Sequence, residues 1–304
     1  MGFTLSDDQQ LLRDTARGLL EKECPASLVR AYQHDASAAD GLWKHLQDWL
    51  ELGDGPLIDL CLFLEEMGAV VAPGPFFATT VLWAALGLDG TGTVLFAREP
   101  IMPYVLDADR VDHIAVVTRD GLGGVGTVEP GSLRPVESID WTRRLFELES
   151  GVQNGSRIDR QALLERAWVA LAAEMLGTAR WLLQHTIEYA KEREQFGRPI
   201  GSFQAIQHKI ADMALAYEEA WSAVYYAALC VDAGDADRHR AAHVAKIMAG
   251  AAATRAAKDG IQVHGGIGYT WEHDLHLYIR RAYASEHLFG TSDWHRDQLA
   301  DLVL

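Results

Sequence analysis

Between residues 6 and 23 the apolar positions Leu11, Leu12, Ala16, Leu19 and Leu20 return every three or four residues, the spacing of one buried helical face. Ser6 precedes the run as an N-cap, with Asp7 and Asp8 in the first turn. The same period predicts helices over 41–52, carrying Trp43, Leu46, Trp49 and Leu50, and over 56–71, carrying Leu60, Phe63, Leu64 and Met67. Pro73-Gly74-Pro75 breaks the pattern, and another apolar helix is predicted over 76–86. From residue 90 to about 152 the chain changes to short β-type runs between Gly and Asp: 93–97, 102–105, 113–118, 125–128 and 144–148. Helical spacing then resumes. A helix over 161–191 is apolar on most sides; another over 203–231 carries Ile206, Ile210, Met213, Leu215, Trp221 and Tyr225. An Ala-rich helix over 237–260 suits close helix packing, and the last helix is predicted over 274–287. The fold class is therefore mainly α with a small β middle domain, divided as 1–89, 90–156 and 157–304.

Composition narrows the function classes. A chain of 304 residues that is 49% hydrophobic has enough material for a sizeable core. Its formal net charge of −16 argues against nucleic acid or an anionic membrane as a partner, because phosphates would be repelled. Cys24, Cys61 and Cys230 are far apart and lack ligand spacing, so neither a disulfide framework nor a metal site is expected. The start of the chain reads as a helix rather than a signal peptide, and no apolar run is long enough to span a bilayer, which together predict a cytoplasmic protein. Gly121, Gly123, Gly124 and Gly126 match no phosphate-binding spacing and precede no predicted helix, so they read as a hairpin.

The densest chemistry lies at a corner between two long helices. Arg193, Gln195, Phe196 and Gly197 place a cation, an amide, an aromatic ring and a glycine together, a set able to hold an anionic group while Phe196 packs beneath a ring. The run 189–200, Tyr-Ala-Lys-Glu-Arg-Glu-Gln-Phe-Gly-Arg-Pro-Ile, followed by Phe203-Gln204, resembles the central signature of the acyl-CoA dehydrogenase family. A second run, 260–272, Gly-Ile-Gln-Val-His-Gly-Gly-Ile-Gly-Tyr-Thr-Trp-Glu, is similar to the family's second signature. The resemblance extends through nearly the whole chain, including Leu64-Glu65-Glu66-Met67-Gly68. It departs in the middle: only Leu52-Gly53-Asp54-Gly55-Pro56 stands where the family has a longer segment, and Glu129-Pro130-Gly131-Ser132 is a superficial match to the family's Thr-Glu-Pro flavin motif.

What the resemblance implies is an enzyme that removes the α-proton of a CoA thioester with a carboxylate while a hydride leaves the β-carbon for FAD. The family places that carboxylate before the Gly-Thr after the last helix, here Phe289, or on the first long C-terminal helix, here near Ala167. Neither residue accepts a proton, so no catalytic residue is assigned. Glu165, two residues from Ala167, is about 200° away around a helix, on the opposite face. Glu286, Glu272, His264 and the Glu218-Glu219 pair read as structural or exposed groups. By resemblance, Arg193, Gln195, Phe196, Phe203, Gln204, Gln262, Gly265 and Gly266 belong to the half of a FAD site that one subunit contributes to its neighbour, with Thr291 surviving from the Gly-Thr element. Half a cofactor site without a base implies the smaller subunit of an α2β2 heterotetramer beside a larger catalytic subunit. It is similar to the shortened acyl-CoA dehydrogenase subunits of bacterial steroid catabolism, with an acyl-CoA substrate and an electron-transferring flavoprotein as acceptor. Two alternatives stay open: a self-sufficient enzyme using Glu165, and a flavin-free scaffold or regulatory homologue.

Overall fold

The computed structural model describes residues 4–97, 100–118, 121–127, 132–148 and 158–304. The expected boundary at 156/157 and the Glu129-Pro130-Gly131 step lie outside them. Helix α1 (Asp7–Glu23) begins with a capping box: Ser6 Oγ accepts from the Gln9 amide at 3.2 Å, and Gln9 Oε1 accepts from the Ser6 amide at 3.1 Å. Helices α2 (Ala26–Tyr32) and α3 (Asp40–Leu46) follow, and α3 tightens into 3₁₀ turns over Gln47–Gly53, so the predicted 41–52 helix is α-helical in its first part only. Helix α4 (Leu57–Ala69) is buried on nearly every side, two carboxylates included. The predicted 76–86 helix is wound wide as a π-helix over Ala78–Trp83, tightens over Ala84–Leu86, and ends at Gly87 with φ +68°.

Two small sheets follow. Strands β1 (Gly92–Phe96), β3 (His113–Thr118) and β4 (Gly121–Thr127) form one, ordered β1-β3-β4 with β1 parallel to β3; β2 (Val105–Leu106), β5 (Leu133–Val136) and β6 (Leu145–Leu148) form the other, ordered β2-β6-β5. The glycines at 121–126 lie in β4, paired antiparallel with β3. Two strand expectations need correction. The 102–105 run supplies only Val105 and Leu106, because Pro103 has no amide to give a ladder. Strand β5 was not expected, since Arg134-Pro135 hides its alternation; a proline is tolerated there because β5 is an edge.

The C-terminal half contains α5 (Arg160–Glu192), α6 (Gln204–Asp232), α7 (Arg238–His264), α8 (Leu275–His287) and α9 (Ser292–Val303). Helix α9 corrects the expectation that the chain's last helix is 274–287. Thr291 caps it, Oγ1 accepting from the Trp294 amide at 3.1 Å. Its buried face is carried by Ser292 and His295, polar types that leave no apolar period in the sequence.

Glycines set the α4/α5 crossing. A Cβ on Gly68 would stand 1.9 Å from the Glu174 carbonyl oxygen, and one on Gly177 would stand 1.8 Å from that of Glu65. The two backbones therefore touch, and buried charge is concentrated beside the contact. Glu65 accepts from Arg180 at 2.7 Å, Tyr217 at 2.9 Å and Tyr225 at 2.7 Å; Glu66 accepts from Arg180 at 2.6 Å and Arg17 at 2.9 Å. On the other side Arg281, 1% exposed, donates to Asp140 at 2.6 Å, to Thr142 Oγ1 at 2.6 Å, to the Ala72 carbonyl at 3.1 Å and to Glu174, which also receives Arg143. That one guanidinium joins α8, α5, the β5–β6 connection and the segment after α4. Among the described residues no helix is long and apolar enough to cross a membrane and no side-chain group has the makings of a metal site. All three cysteines are free and buried, and burial pushes the Cys24 thiol up to about 12.

Candidate functional site

The corner after α5 is a two-residue hairpin. Glu194 pairs with Pro199 and Gln195 with Arg198, and the turn residues Phe196 and Gly197 both have positive φ, +54° and +76°. Both angles are those of a type I′ turn, which suits glycine but strains a phenylalanine. Phe196 is nonetheless 94% exposed and meets Phe203 edge-on at 6.1 Å. Arg198 stacks over Phe203 at 4.2 Å, and the Ile200 amide donates to the Arg193 carbonyl at 2.7 Å. Gln195 Nε2 donates to the neighbouring Glu194 carbonyl at 2.6 Å. Within the described residues the side chains of Arg193, Gln204 and Gln262 make no hydrogen bond, and all three are exposed.

The second signature is brought to the same end of the molecule by the pairing of α5 with α7. Tyr189, four residues before Arg193, stacks on His264 at 4.3 Å and donates its hydroxyl proton to the His264 carbonyl at 3.3 Å. His264 itself is buried with Nδ1 on the Gly260 carbonyl at 2.8 Å, as a packing group rather than a base. Gly265 ends α7 with φ +61° and has open space where a Cβ would be. Eight of the nine expected residues thus share one end: a guanidinium without a partner among the described residues, the free amides of Gln204 and Gln262, the exposed Phe196 ring and open backbone. That set can grip a phosphate and lie against a flat ring.

Thr291 is elsewhere. Lys246 of α7 donates to the Gly290 carbonyl at 3.0 Å, and Gln262 comes sixteen residues later on the same helix, about 24 Å along its axis. At that far end Phe289 is buried with φ +55°, against Phe96 at 5.9 Å and Phe77 at 6.4 Å. A cavity of about 740 Å³ adjoins it, lined mainly by apolar groups such as Met102, Leu288 and Trp294, with Tyr104, Gly290 and Thr291. Among the described residues no carboxylate lines it. Ala167 is buried, and Glu165 is engaged by Arg238 at 2.9 Å, His239 at 3.1 Å and Gln161 at 3.1 Å. Glu286 accepts from the Ser292 amide at 2.7 Å and borders a different, polar cavity.

The turn at Phe289 rests on a buried histidine pair that sequence reasoning missed, since isolated histidines carry no spacing signal. His295 Nε2 meets the Phe289 carbonyl at 3.1 Å and must be the donor there. Its Nδ1 is then an acceptor for His243 Nδ1–H, 2.7 Å away, so each ring is neutral with one proton in a fixed place. Burial is the main reason both are hard to protonate: His243 falls to about 4, helped by His239, and His295 to about 2, helped by Lys246 and His243. The unfolded chain takes up protons below about 6.5 while the fold does not, so the pair's full contribution is present above that pH and is lost as pH falls below it. We expect His243 alone to cost roughly 2 kcal/mol between pH 7 and pH 5. Thermal melts across that range should show the fall, and His243→Asn should flatten it; an unchanged slope in the variant would contradict the assignment.

The chain compares closely with known proteins. Its residues 153–304 match the family model described as acyl-CoA dehydrogenase, C-terminal domain. Acyl-CoA dehydrogenase IpdE2 of Mycobacterium tuberculosis is 36% identical over 94% of both chains. The chain belongs to the acyl-CoA dehydrogenase family. Members are FAD-dependent oxidoreductases of the CH–CH bond, and the mainly helical fold with its small sheets is theirs. A steroid acyl-CoA dehydrogenase structure, Tcur3481-Tcur3483 in its G363A variant, superposes with a TM-score of 0.88 at 26% identity, covering 99% of this chain and 98% of that one. The ChsE4-ChsE5 complex of Mycobacterium tuberculosis shares the fold, with a TM-score of 0.82 at 21% identity over 99% and 98%.

Proposed function

We propose that this chain is the base-less subunit of a heteromeric acyl-CoA dehydrogenase, holding the pyrophosphate and adenosine end of a FAD whose flavin ring sits in a larger companion subunit. The observation that carries this reading is the 24 Å division along α7: a free set of phosphate-gripping groups at one end, and at the other a phenylalanine buried where the family keeps its carboxylate. Arg193 supplies positive charge, Gln195, Gln204 and Gln262 supply amides, and Gly265-Gly266 lets backbone approach without a Cβ in the way. Phe196 and Phe203 offer ring faces. The exposed Phe196, Ile267 and Tyr269 make this end apolar as well as polar, the mixture that a subunit boundary covers.

FAD, when bound, supplies the hydride acceptor. The proton goes to a carboxylate of the companion, since Phe289 and Ala167 have no group to take it. The three-part division of the chain at 89/90 and 156/157 belongs to the same reading, as does a cytoplasmic α2β2 assembly passing electrons to an electron-transferring flavoprotein. The relatives support a substrate class: one of the matching structures is named as a steroid acyl-CoA dehydrogenase. A CoA thioester of a ring-bearing, steroid-derived acyl group follows by analogy.

The rival reading gives the proton to Glu165. Its geometry speaks against that, because both of its oxygens are occupied by Arg238, His239 and Gln161. Glu165→Gln in the assembled enzyme should leave kcat within about twofold, whereas loss of a true general base lowers it by about a hundredfold or more. Single-turnover flavin reduction distinguishes the two.

A further inference from the structure

A third cavity, of about 330 Å³, opens between α2, the β5–β6 connection and α8. In a chain of net charge −16 its wall carries three arginines, Arg143, Arg144 and Arg280, against one carboxylate, Glu137. Arg143 is answered by Glu174 and Arg144 by Asp109 at 2.7 Å. Arg280 has no carboxylate partner among the described residues: one nitrogen donates to the Ile139 carbonyl at 3.0 Å, and the rest of the fork is unused. Its guanidinium carbon lies 5.1 Å from the Trp141 ring and 5.4 Å from the Trp271 ring, and the two indoles face each other at 6.3 Å with 27° between planes.

The platform is held in place from behind. Trp141 Nε1 donates to the Val29 carbonyl at 3.0 Å. Arg30 donates to the Trp271 carbonyl at 2.6 Å while also gripping Asp274, yet the Trp271 ring remains 57% exposed. Tyr32 also lines the cavity; it is 1% exposed and its hydroxyl has no hydrogen-bond partner. Burial raises the phenol's pKa, so it stays protonated and remains a donor. An anion alone would leave the indole faces wet, and a plain apolar ring would leave the guanidinium unanswered.

We propose that this cavity binds a planar ring carrying a phosphate or carboxylate, with the ring against Trp271 and the anion on the unused part of the Arg280 fork. The site is separate from the Arg193 hairpin and does not depend on the flavin reading. Calorimetry on the full-length chain, in whatever assembly it purifies, tests it with four probes: adenosine monophosphate, benzoate, inorganic phosphate and adenosine. At least one of the first two should saturate a site about tenfold or more tighter than the ringless or uncharged probes, as stacking and a charge-assisted bond together require. Which of the two binds distinguishes a phosphate from a carboxylate ligand. Trp271→Ala, in an exposed loop, should weaken that probe about tenfold without changing the affinity for phosphate. Arg280→Gln should weaken it by about tenfold or more, and Arg280→Lys by less, which separates a binding defect from misfolding. Arg193→Ala should have no effect. The proposal is overturned if neither ring-bearing anion saturates, if phosphate alone binds equally well, or if Arg193→Ala abolishes binding and so assigns it to the hairpin.

Discussion

Arg281→Ala should destabilise the protein by roughly 3–5 kcal/mol, the largest loss from any single side chain discussed above. The guanidinium is buried among Asp140, Glu174, Thr142 and the carbonyls of Val71 and Ala72, and its removal leaves two carboxylates with only Arg143 to answer them. The penalty comes from the uncompensated charges more than from the lost bonds. A melting temperature lower by on the order of 10 °C should result. Adding Asp140→Asn to Arg281→Ala should recover part of the loss, because it removes one of the stranded charges. A single variant that melts within a degree or two of the parent would show that the network holds nothing together.

Arg193→Ala should lower FAD affinity of the assembled enzyme by about tenfold to a hundredfold, the value of one or two charge-assisted hydrogen bonds to a pyrophosphate. The melting temperature of the flavin-free protein should not move, since this side chain makes no hydrogen bond among the described residues. That contrast separates a ligand contact from a structural one. Arg193→Lys should fall between, keeping the charge and losing the fork. Equal flavin retention in the alanine variant and the parent would remove the hairpin from the cofactor site.

How much of this was legible in the residues follows from which physical signals are local. The N-cap at Ser6, the long apolar helices and the turn at Phe196-Gly197 depend on neighbours in sequence, and their positions matched to within a few residues. The 33-residue α5 announced itself through its period. Strand β5 and helix α9 did not, because one is an edge carrying a proline and the other buries a histidine. That residue 289 is a phenylalanine, just before a Gly-Thr, was readable directly. The tertiary contacts were not: the His243–His295 pair, Lys246 on the Gly290 carbonyl and the Arg281 network join residues from different elements, and such pairings acquire meaning only when the helices are packed. The same holds for the separation of Thr291 from the other eight residues, which is a matter of where along α7 each end lies.

On the proposed reading this polypeptide completes a flavin site in another subunit and leaves the proton to that subunit's carboxylate. The most direct test is to express the chain alone and together with a full-length acyl-CoA dehydrogenase companion, then record the visible spectrum and native mass of what is purified. A colourless or insoluble product is expected from the solitary chain and a yellow mixed oligomer from the pair. A yellow, active assembly made only of this chain would contradict it, and a stable mixed oligomer without flavin would favour a scaffold instead.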